Sequence, residues 1–441
     1  MNKAIAARYL LSALLCLGLS GAHAGAKAPA LKEGIWRGEF SVNGDALPFN
    51  FEVKGRHADA TLTVINGSRR DVFKIERAAP DAVFVKMNTY DAAIEARIEN
   101  SGRLVGEYRS LVPSQRGGVL PFVGEYGKTY RFVKPTANVK PAGDLSGKWA
   151  IEIISKDPAP NQVALLKQEG NKLGGVFMTV VGDTRELEGT VQGNKFYLSG
   201  FSGPSPVLVQ GTIDEEGNIE GGVAFGIYRT VKFEGHKQQN VELPDPYKLT
   251  YLKPGFSKLD FTFPNLDGKP ISLSDDKYQG KVVIVEIIGT WCPNCTDQTR
   301  FLAPWFKNNQ QRGVEAIAIA FEQEDNFDYF KHTVGKFKEF FDIRYDLVFG
   351  GIADKKVATE KLAGLNYMAA FPTTILIDRK GEVRQIYTGY TGEITGDYYK
   401  DYVKRFNTVL DELIAEPNPY AASKLTDDAT GAADVHVASM P

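Results

Sequence analysis

Two stretches of this 441-residue chain repeat one pattern of short strands and tight turns. The first stretch opens on Gly34-Ile35-Trp36 and the second on Gly147-Lys148-Trp149, 113 positions later. A turn segment at Ile98 to Gly102 recurs at Ile213 to Gly217, 115 positions later. Between these marks, alternating apolar and polar residues are interrupted by turn signals about every 8–12 residues, which indicates antiparallel strands. The repeat therefore predicts two tandem antiparallel all-β units, each a barrel or a sandwich of about 100 residues.

Each unit is predicted to close on a strand in which aromatic and polar residues alternate. These strands are Tyr130 to Val133 in the first unit and Val231 to Glu234 in the second. Aromatic side chains at alternating strand positions most often form a core, so the pattern predicts an architecture and no ligand. As an alternative, the β units bind a partner and the rest of the chain is accessory.

The pattern changes after Pro246 to apolar strands that alternate with helices. Lys281 to Ile288 and Val314 to Phe321 are nearly continuous apolar runs of strand length. Helices are predicted at 293–309, 324–345, 354–363 and 395–414, and a hairpin at 374–388. Such an alternation predicts an α/β domain with a mainly parallel sheet covered on both faces.

Shifts of composition divide the chain into five segments. We predict a signal peptide at 1–24, a first all-β unit at 25–139, a second at 140–245, an α/β domain at 246–415 and a disordered tail at 416–441.

The N-terminal residues have the pattern of an export signal. Lys3 and Arg8 precede a short apolar stretch, Tyr9 to Leu19, and Ala22-His23-Ala24 provides a cleavage site of small residues. If this segment stayed uncleaved, it would anchor the chain in a membrane. No later run approaches the roughly 18 apolar residues of a membrane span, so the mature protein is expected to be soluble and periplasmic.

Charge and cysteine content exclude two broad classes of protein. The chain has 52 Lys and Arg against 54 Asp and Glu, a net charge of −2, which disfavours a nucleic-acid binder. It has only three cysteines, Cys16, Cys292 and Cys295, so it is no disulfide-stapled scaffold. Cleavage after Ala24 would leave two, three positions apart in an oxidising compartment.

Those two cysteines lie in Trp291-Cys292-Pro293-Asn294-Cys295, between an apolar strand and a helix. This context turns a weak C-x-x-C pattern into a redox signal. Pro293 suits the first helical position, so Cys292 lies at the helix N-terminus, where the dipole favours a thiolate. A structural disulfide would close too short a loop to add much stability, and a zinc site would need about four ligands, whereas the histidines are scattered.

Glu286 interrupts the apolar strand that leads to the motif. In a strand buried on both faces its pKa should rise, and a protonatable acid beneath a dithiol could take the proton of the second cysteine. On an edge strand, Glu286 would instead lie in solvent. Further along, Phe371-Pro372 precedes a predicted strand, which suggests a special turn and raises the suspicion of a cis bond.

Residues from about 250 to 414 resemble the thioredoxin superfamily, and within it the TlpA/ResA-like exported thiol–disulfide oxidoreductases. The resemblance rests on the opening Asn265 to Leu273, on Trp291 to Cys295 and on Phe371-Pro372-Thr373. It implies that Cys292 is the nucleophile, that Cys295 resolves the mixed disulfide, and that Pro372 is cis and faces the pair.

The resemblance also implies a docking edge for substrates at Phe371 and Pro372, with Trp291 beside it. Glu286 matches the buried acid of thioredoxin and of protein disulfide isomerase, whereas ResA-like proteins carry a Glu just after the motif, where this chain has Gln298. Arg300 stands where many relatives have a helix-kinking proline, and the Pro293-Asn294 dipeptide is unlike that of thioredoxin or ResA.

We therefore expect an exported enzyme that exchanges disulfides with protein thiols. It would need no cofactor or metal beyond its redox-active cysteines, and its partners would be protein substrates and an upstream redox protein. Resemblance implies a reductant, for example in cytochrome c maturation, although the sequence leaves the direction open. A peroxiredoxin-like peroxidase is the enzymatic alternative, because the opening of the domain is shared.

Overall fold

The computed structural model describes residues 30–55, 59–76, 81–115, 118–155, 161–226 and 230–420. The predicted signal peptide with Cys16, and residues 421–441 of the predicted tail, lie outside these ranges. Within them, two all-β units precede an α/β unit, which is the predicted order.

The first unit is a closed eight-stranded barrel whose interior is filled by aromatic rings. Strand β1 pairs antiparallel with both β2 and β8, which closes the barrel. Trp36, Phe49 and Phe122 are fully or almost fully buried inside it. Its strands are β1 (Gly34–Val42), β2 (Asp45–Lys54), β3 (Thr61–Asn66), β4 (Arg69–Glu76), β5 (Ala82–Lys86), β6 (Ala92–Ile98), β7 (Leu104–Ser110) and β8 (Val119–Tyr126).

The second unit repeats this arrangement with one added strand. Its sheet closes on itself through the pairing of β10 with β11, and β12 extends β11 as a short hairpin. Its strands are β9 (Gly147–Ile153), β10 (Gln162–Glu169), β11 (Lys172–Thr179), β12 (Gly182–Asp183), β13 (Leu187–Gln192), β14 (Lys195–Gly200), β15 (Val207–Ile213), β16 (Ile219–Phe225) and β17 (Val231–Lys237). Of the two arrangements that the sequence left open, the strand pairing is that of a barrel in both units.

The repeat extends to individual hydrogen bonds. Trp36 Nε1 donates to the carbonyl of Lys32 at 2.9 Å, and Trp149 Nε1 donates to the carbonyl of Leu145 at 2.8 Å. In both units, therefore, an indole ties the first strand to the segment four residues before it.

One predicted strand of the first unit is wrong. Tyr130 to Val133 is irregular and contains no strand, and β8 is the strand that closes the barrel. Arg131 explains the difference, because its buried guanidinium donates to the carbonyl of Ser199 in the second barrel at 2.9 Å. The segment therefore links the two barrels, and the half-buried Phe132 stacks on Tyr197 of the second barrel. Phe201 of the second barrel also packs on Phe40 of the first, with ring centroids 5.0 Å apart.

The α/β unit has a five-stranded sheet in the order β22-β21-β20-β23-β24, with an outlying β18–β19 hairpin. The strands are β18 (Thr262–Pro264), β19 (Pro270–Ser272), β20 (Val282–Ile288), β21 (Val314–Glu322), β22 (Asp346–Ile352), β23 (Thr373–Ile377) and β24 (Val383–Thr388). The helices are α1 (Pro293–Asn309), α2 (Phe327–Phe341), α3 (Lys355–Lys361) and α4 (Asp397–Ala415).

One sequence prediction for this unit needs correction, and one strand was missed. The sheet is mixed, since β20, β21 and β22 run parallel while β23 and β24 are antiparallel to their neighbours. Strand β22 was not predicted, because two glycines interrupt its apolar run. The predicted hairpin and helix α1 are confirmed. In the described part of the chain, no helix is long and apolar enough to cross a membrane.

Candidate redox site

The site lies where the central strand β20 runs into helix α1. Cys292 is the residue that caps α1, with extended backbone angles of −90° and 123°, and Pro293 follows at the first helical position. Proline is suited to that position because the N–H it lacks would have no intrahelical partner. The Cys292 sulfur therefore lies at the positive end of the helix dipole.

The two cysteines are free thiols with opposite electrostatic environments. A hydrogen bond from Cys295 and backbone N–H groups of Asn294 and Cys295 lower the pKa of Cys292, although burial opposes them. Burial raises the pKa of Cys295 well above its usual value, and the hydrogen bond with Cys292 adds to this. The arrangement thus favours a thiolate at Cys292 and a thiol at Cys295.

Glu286 lies in the middle of β20 and is 1% exposed. The neighbouring strands pair with it on both sides, at Ala318 and Thr374, so the edge-strand alternative is excluded. Its Oε2 accepts a hydrogen bond from the Tyr345 hydroxyl at 3.1 Å, while its Oε1 has no partner among the described residues. Burial raises the pKa of Glu286 to about 8, and the negative charge of Glu286 in turn raises the pKa of Cys295.

The Phe371–Pro372 peptide bond is cis and faces the dithiol. The Cys292 thiol donates to the carbonyl of Phe371 at 3.4 Å. Trp291 lies edge-on to the Phe371 ring at 5.9 Å and donates from Nε1 to the carbonyl of Phe321 at 2.9 Å. The structure therefore brings together all six site residues that the sequence singled out.

Sequence reasoning missed a second buried acid, Glu322 at the end of β21. Its carboxylate accepts from the Thr290 backbone N–H at 3.0 Å and from the Thr290 hydroxyl at 2.7 Å. Burial raises the pKa of Glu322 to about 7. These bonds hold the segment just before Trp291. The run Val314 to Glu322 carried a signal for this residue, an acid at the end of an apolar strand.

Gln298 occupies the position at which ResA-like proteins carry an acid. It is 1% exposed, and its Nε2 donates to the Thr374 hydroxyl at 2.5 Å. An amide there braces α1 against β23 and holds no titratable proton. Within the described ranges, no three His, Cys, Asp or Glu side chains are grouped so as to hold a metal ion.

The second barrel reaches the motif through the hairpin between β11 and β12. A Cβ atom at Gly182 would lie 1.8 Å from Asn294 Nδ2, and one at Gly389 would lie 2.6 Å from the Val181 backbone. The Asp183 carboxylate accepts from the Gly392 N–H at 2.7 Å. The hairpin is therefore packed on the redox unit beside the dithiol, and Cys292 is only 6% exposed.

The α/β fold, the paired cysteines at a helix N-terminus and the facing cis-proline define a thioredoxin-like thiol–disulfide oxidoreductase. A profile of the AhpC/TSA family matches residues 255–386. The chain is 32% identical over 140 residues to thiol-disulfide oxidoreductase ResA of Geobacillus kaustophilus, covering 32% of this chain and 72% of that protein. It is 30% identical over 146 residues to ResA of Bacillus thuringiensis subsp. konkukian, covering 33% and 74%.

A crystal structure of a putative thiol:disulfide interchange protein DsbE from Chlorobium tepidum is 23% identical and covers 35% of this chain and 98% of that one, with a TM-score of 0.27. On the strength of the sequence relatives, the chain belongs to the TlpA/ResA-like thiol–disulfide oxidoreductases of the thioredoxin superfamily. The two barrels precede the matched region.

Proposed function

We propose that the protein is an exported reductant that reduces disulfides of other proteins through the Cys292–Cys295 dithiol. The observation that carries this proposal is the asymmetry of the pair. Cys292 has a lowered pKa at the N-terminus of α1, and Cys295 has a raised pKa one helical turn inside. A lowered pKa supplies the thiolate that a nucleophile needs, and a resolving thiol can react even when its pKa is raised.

The reaction proceeds in two steps. The Cys292 thiolate attacks one sulfur of a substrate disulfide, forms a mixed disulfide and releases the other sulfur as a thiolate, which takes up a proton. Cys295 then loses its proton, attacks the Cys292 sulfur and releases the second substrate sulfur. Two electrons pass to the substrate, and the enzyme is left with an intramolecular disulfide that an upstream dithiol protein must reduce.

Glu286 accepts the proton of Cys295 in the second step. Its pKa of about 8 suits an exchange of protons near neutral pH, and its charge acts on Cys295. Its Oε1 is the atom available for this role, because Oε2 already accepts from Tyr345.

Substrates dock along the Phe371 backbone before the cis-proline. The Phe371 carbonyl already lies at 3.4 Å from the Cys292 sulfur, so a peptide paired with this edge would present its own sulfur there. We place the protein in the periplasm. The family role that it would serve there is cytochrome c maturation. Its upstream partner would be a second redox protein that reduces the Cys292–Cys295 disulfide.

Reduction of insulin by the full-length chain, in the presence of dithiothreitol, tests the proposal. The Cys292→Ser variant should lose activity. Incubated with insulin in the absence of dithiothreitol, reduced Cys295→Ser should accumulate a mixed disulfide that is resolved only when a thiol is added. A parallel assay with hydrogen peroxide addresses the peroxidase alternative. Peroxide consumption that depends on Cys292, without insulin reduction, would overturn the proposal in favour of a peroxidase.

A further inference from the structure

Arg185 is a charged residue of the second barrel that is buried in the redox site. It lies between β12 and β13 with a left-handed φ of 61°, and the Asp183 carboxylate accepts from its backbone N–H at 2.6 Å. The other oxygen of Asp183 binds the Gly392 N–H of the redox unit. The turn that presents Arg185 is therefore held from both sides, and the side chain is only 6% exposed.

The partners of the Arg185 guanidinium belong to the other two units. Its Nη2 donates to the Pro293 carbonyl within the C-x-x-C motif at 2.6 Å, and its Nε donates to Asp297 Oδ2 in α1 at 2.7 Å. Nη2 also donates to the Tyr90 hydroxyl of the first barrel at 3.1 Å. Because an unpaired buried charge is strongly unfavourable, the Arg185 side chain can be buried only while the second barrel is docked on the redox unit.

Three guanidinium groups converge on Asp297 of α1. Asp297 also pairs with Arg69 of the first barrel at 3.1 Å and with Arg300 at 2.7 Å. Asp71 pairs with Arg69 at 2.8 Å. Burial opposes the charge on Arg185, but Asp297, Tyr90 and Asp71 together outweigh it, so the pKa of Arg185 is raised and the cation persists at any physiological pH.

We propose that Arg185 is a positioning residue of the redox site, supplied in cis by the second barrel, which orients the Pro293 carbonyl and favours the thiolate form of Cys292. This inference rests on the proposed role of Cys292 as nucleophile. It gives the second barrel a task in the reaction, since the redox unit is completed by a residue that lies more than 100 positions before the motif.

The charges around Cys292 agree with this task. Its pKa is lowered first by the hydrogen bond from Cys295, then by the backbone N–H groups of Cys295 and Asn294, and also by the positive charge of Arg185, against the effect of burial. Asp297, the nearest acid on α1, is neutralised by its guanidinium partners. Glu286 acts on Cys295 from β20, and Asp183 faces the site from the hairpin.

The test is a titration of the Cys292 thiolate by its absorbance at 240 nm, in the full chain carrying Cys16→Ser and Cys295→Ser so that one thiol remains. Arg185→Gln should raise the midpoint by about one pH unit, a tenfold loss of thiolate at pH values below the midpoint. Arg185→Lys keeps the positive charge but loses the planar guanidinium, so its midpoint should lie between those of the parent and of Arg185→Gln. Asp297→Asn should move the midpoint down, a direction that general loosening of the fold would not produce.

Arg131→Gln is the matched control, because Arg131 is also a buried arginine that bridges units, yet it contacts only the barrels. It should leave the midpoint unchanged. Overlapping titrations of the parent and Arg185→Gln, or an equal shift in Arg131→Gln, would overturn the inference. The titration needs no substrate, so a chain that shows the shift but does not reduce insulin would refute the proposed function alone.

Discussion

Replacing Glu286 by Gln should make the protein more stable and its second chemical step slower. The side chain lies in the central strand, buried on both faces, and only Tyr345 donates to it. Glutamine has the same shape, retains an acceptor for the Tyr345 hydroxyl and carries no charge. The substitution therefore isolates the cost of ionising this one buried carboxyl.

The magnitude follows from the pKa of Glu286, which burial raises from 4.5 to about 8. The folded protein holds a proton that the unfolded chain loses above pH 4.5, so this contribution to stability is complete below that pH and declines as pH rises through 8. At about 1.4 kcal/mol for each pH unit, wild type loses about 3 kcal/mol by pH 7 and about 5 kcal/mol above pH 8. The Glu286→Gln variant loses none of this stability, because its side chain does not ionise.

Scanning calorimetry of the full chain between pH 5 and pH 8 measures the effect on the transition of the redox unit. The stability of wild type should fall relative to Glu286→Gln across this range, and the two should converge near pH 4.5. Tyr345→Phe serves as the comparison: losing the donor that favours the ionised carboxylate should raise the pKa of Glu286 further, so the decline in stability should continue to a higher pH at the same slope. Parallel profiles for wild type and Glu286→Gln would refute the burial argument.

The same variant tests the chemical role of Glu286. Without a proton acceptor, Cys295 should resolve a preformed mixed disulfide at Cys292 more slowly near neutral pH, and the difference should diminish at high pH, where Cys295 ionises unaided. An unchanged rate of resolution at pH 7, measured by stopped flow with a chromogenic disulfide, would exclude that role while leaving the stability prediction intact.

Three further predictions concern the surroundings of the dithiol. Gly182→Ala should displace Asn294 and speed alkylation of Cys292 by iodoacetamide. Gly174→Ala, whose Cβ would lie 3.6 Å from its nearest neighbour, should not change the rate. Equal alkylation rates in the two variants would contradict the packing of the hairpin on the motif. Glu322→Ala should lower the free energy of unfolding by about 1–3 kcal/mol, because the Thr290 N–H and hydroxyl lose their acceptor. Denaturant unfolding measures this difference, and a value near zero would be incompatible with those hydrogen bonds. Asp91 and Lys336, 2.7 Å apart, join the first barrel to α2. A double-mutant cycle on this pair should give a coupling free energy of about 1 kcal/mol that weakens in 1 M salt. A coupling free energy insensitive to salt would argue against an ion pair.

Sequence reasoning succeeded where structure depends on near neighbours. The bounds of α1 follow from a proline at the first helical position after an apolar strand, and the burial of Glu286 follows from the apolar residues around it. The repeat was visible because Gly-x-Trp opens both barrels. Each of these signals lies within a few residues of the feature that it predicts.

It failed where a local pattern had a distant cause. Tyr130 to Val133 alternates like a strand, but Arg131, its one buried residue, hydrogen-bonds to the second barrel instead of joining the first sheet. Strand β22 was missed because its glycines weaken the apolar pattern, and the strand forms by pairing with β21. The parallel or antiparallel direction of β23 likewise depends on the path of the chain around the sheet.

The dithiol and its buried acid could be read from residue order, because their chemistry is carried by residue type and by short spacings, while the proline that faces them was implied by the resemblance to the thioredoxin superfamily. The charge that surrounds them could not. Arg185 and Asp297 are 112 positions apart, and nothing near either residue in the chain indicates the other. Their pairing exists only because two barrels dock on the redox unit and remove water from between them, which makes a buried cation favourable where its partners converge.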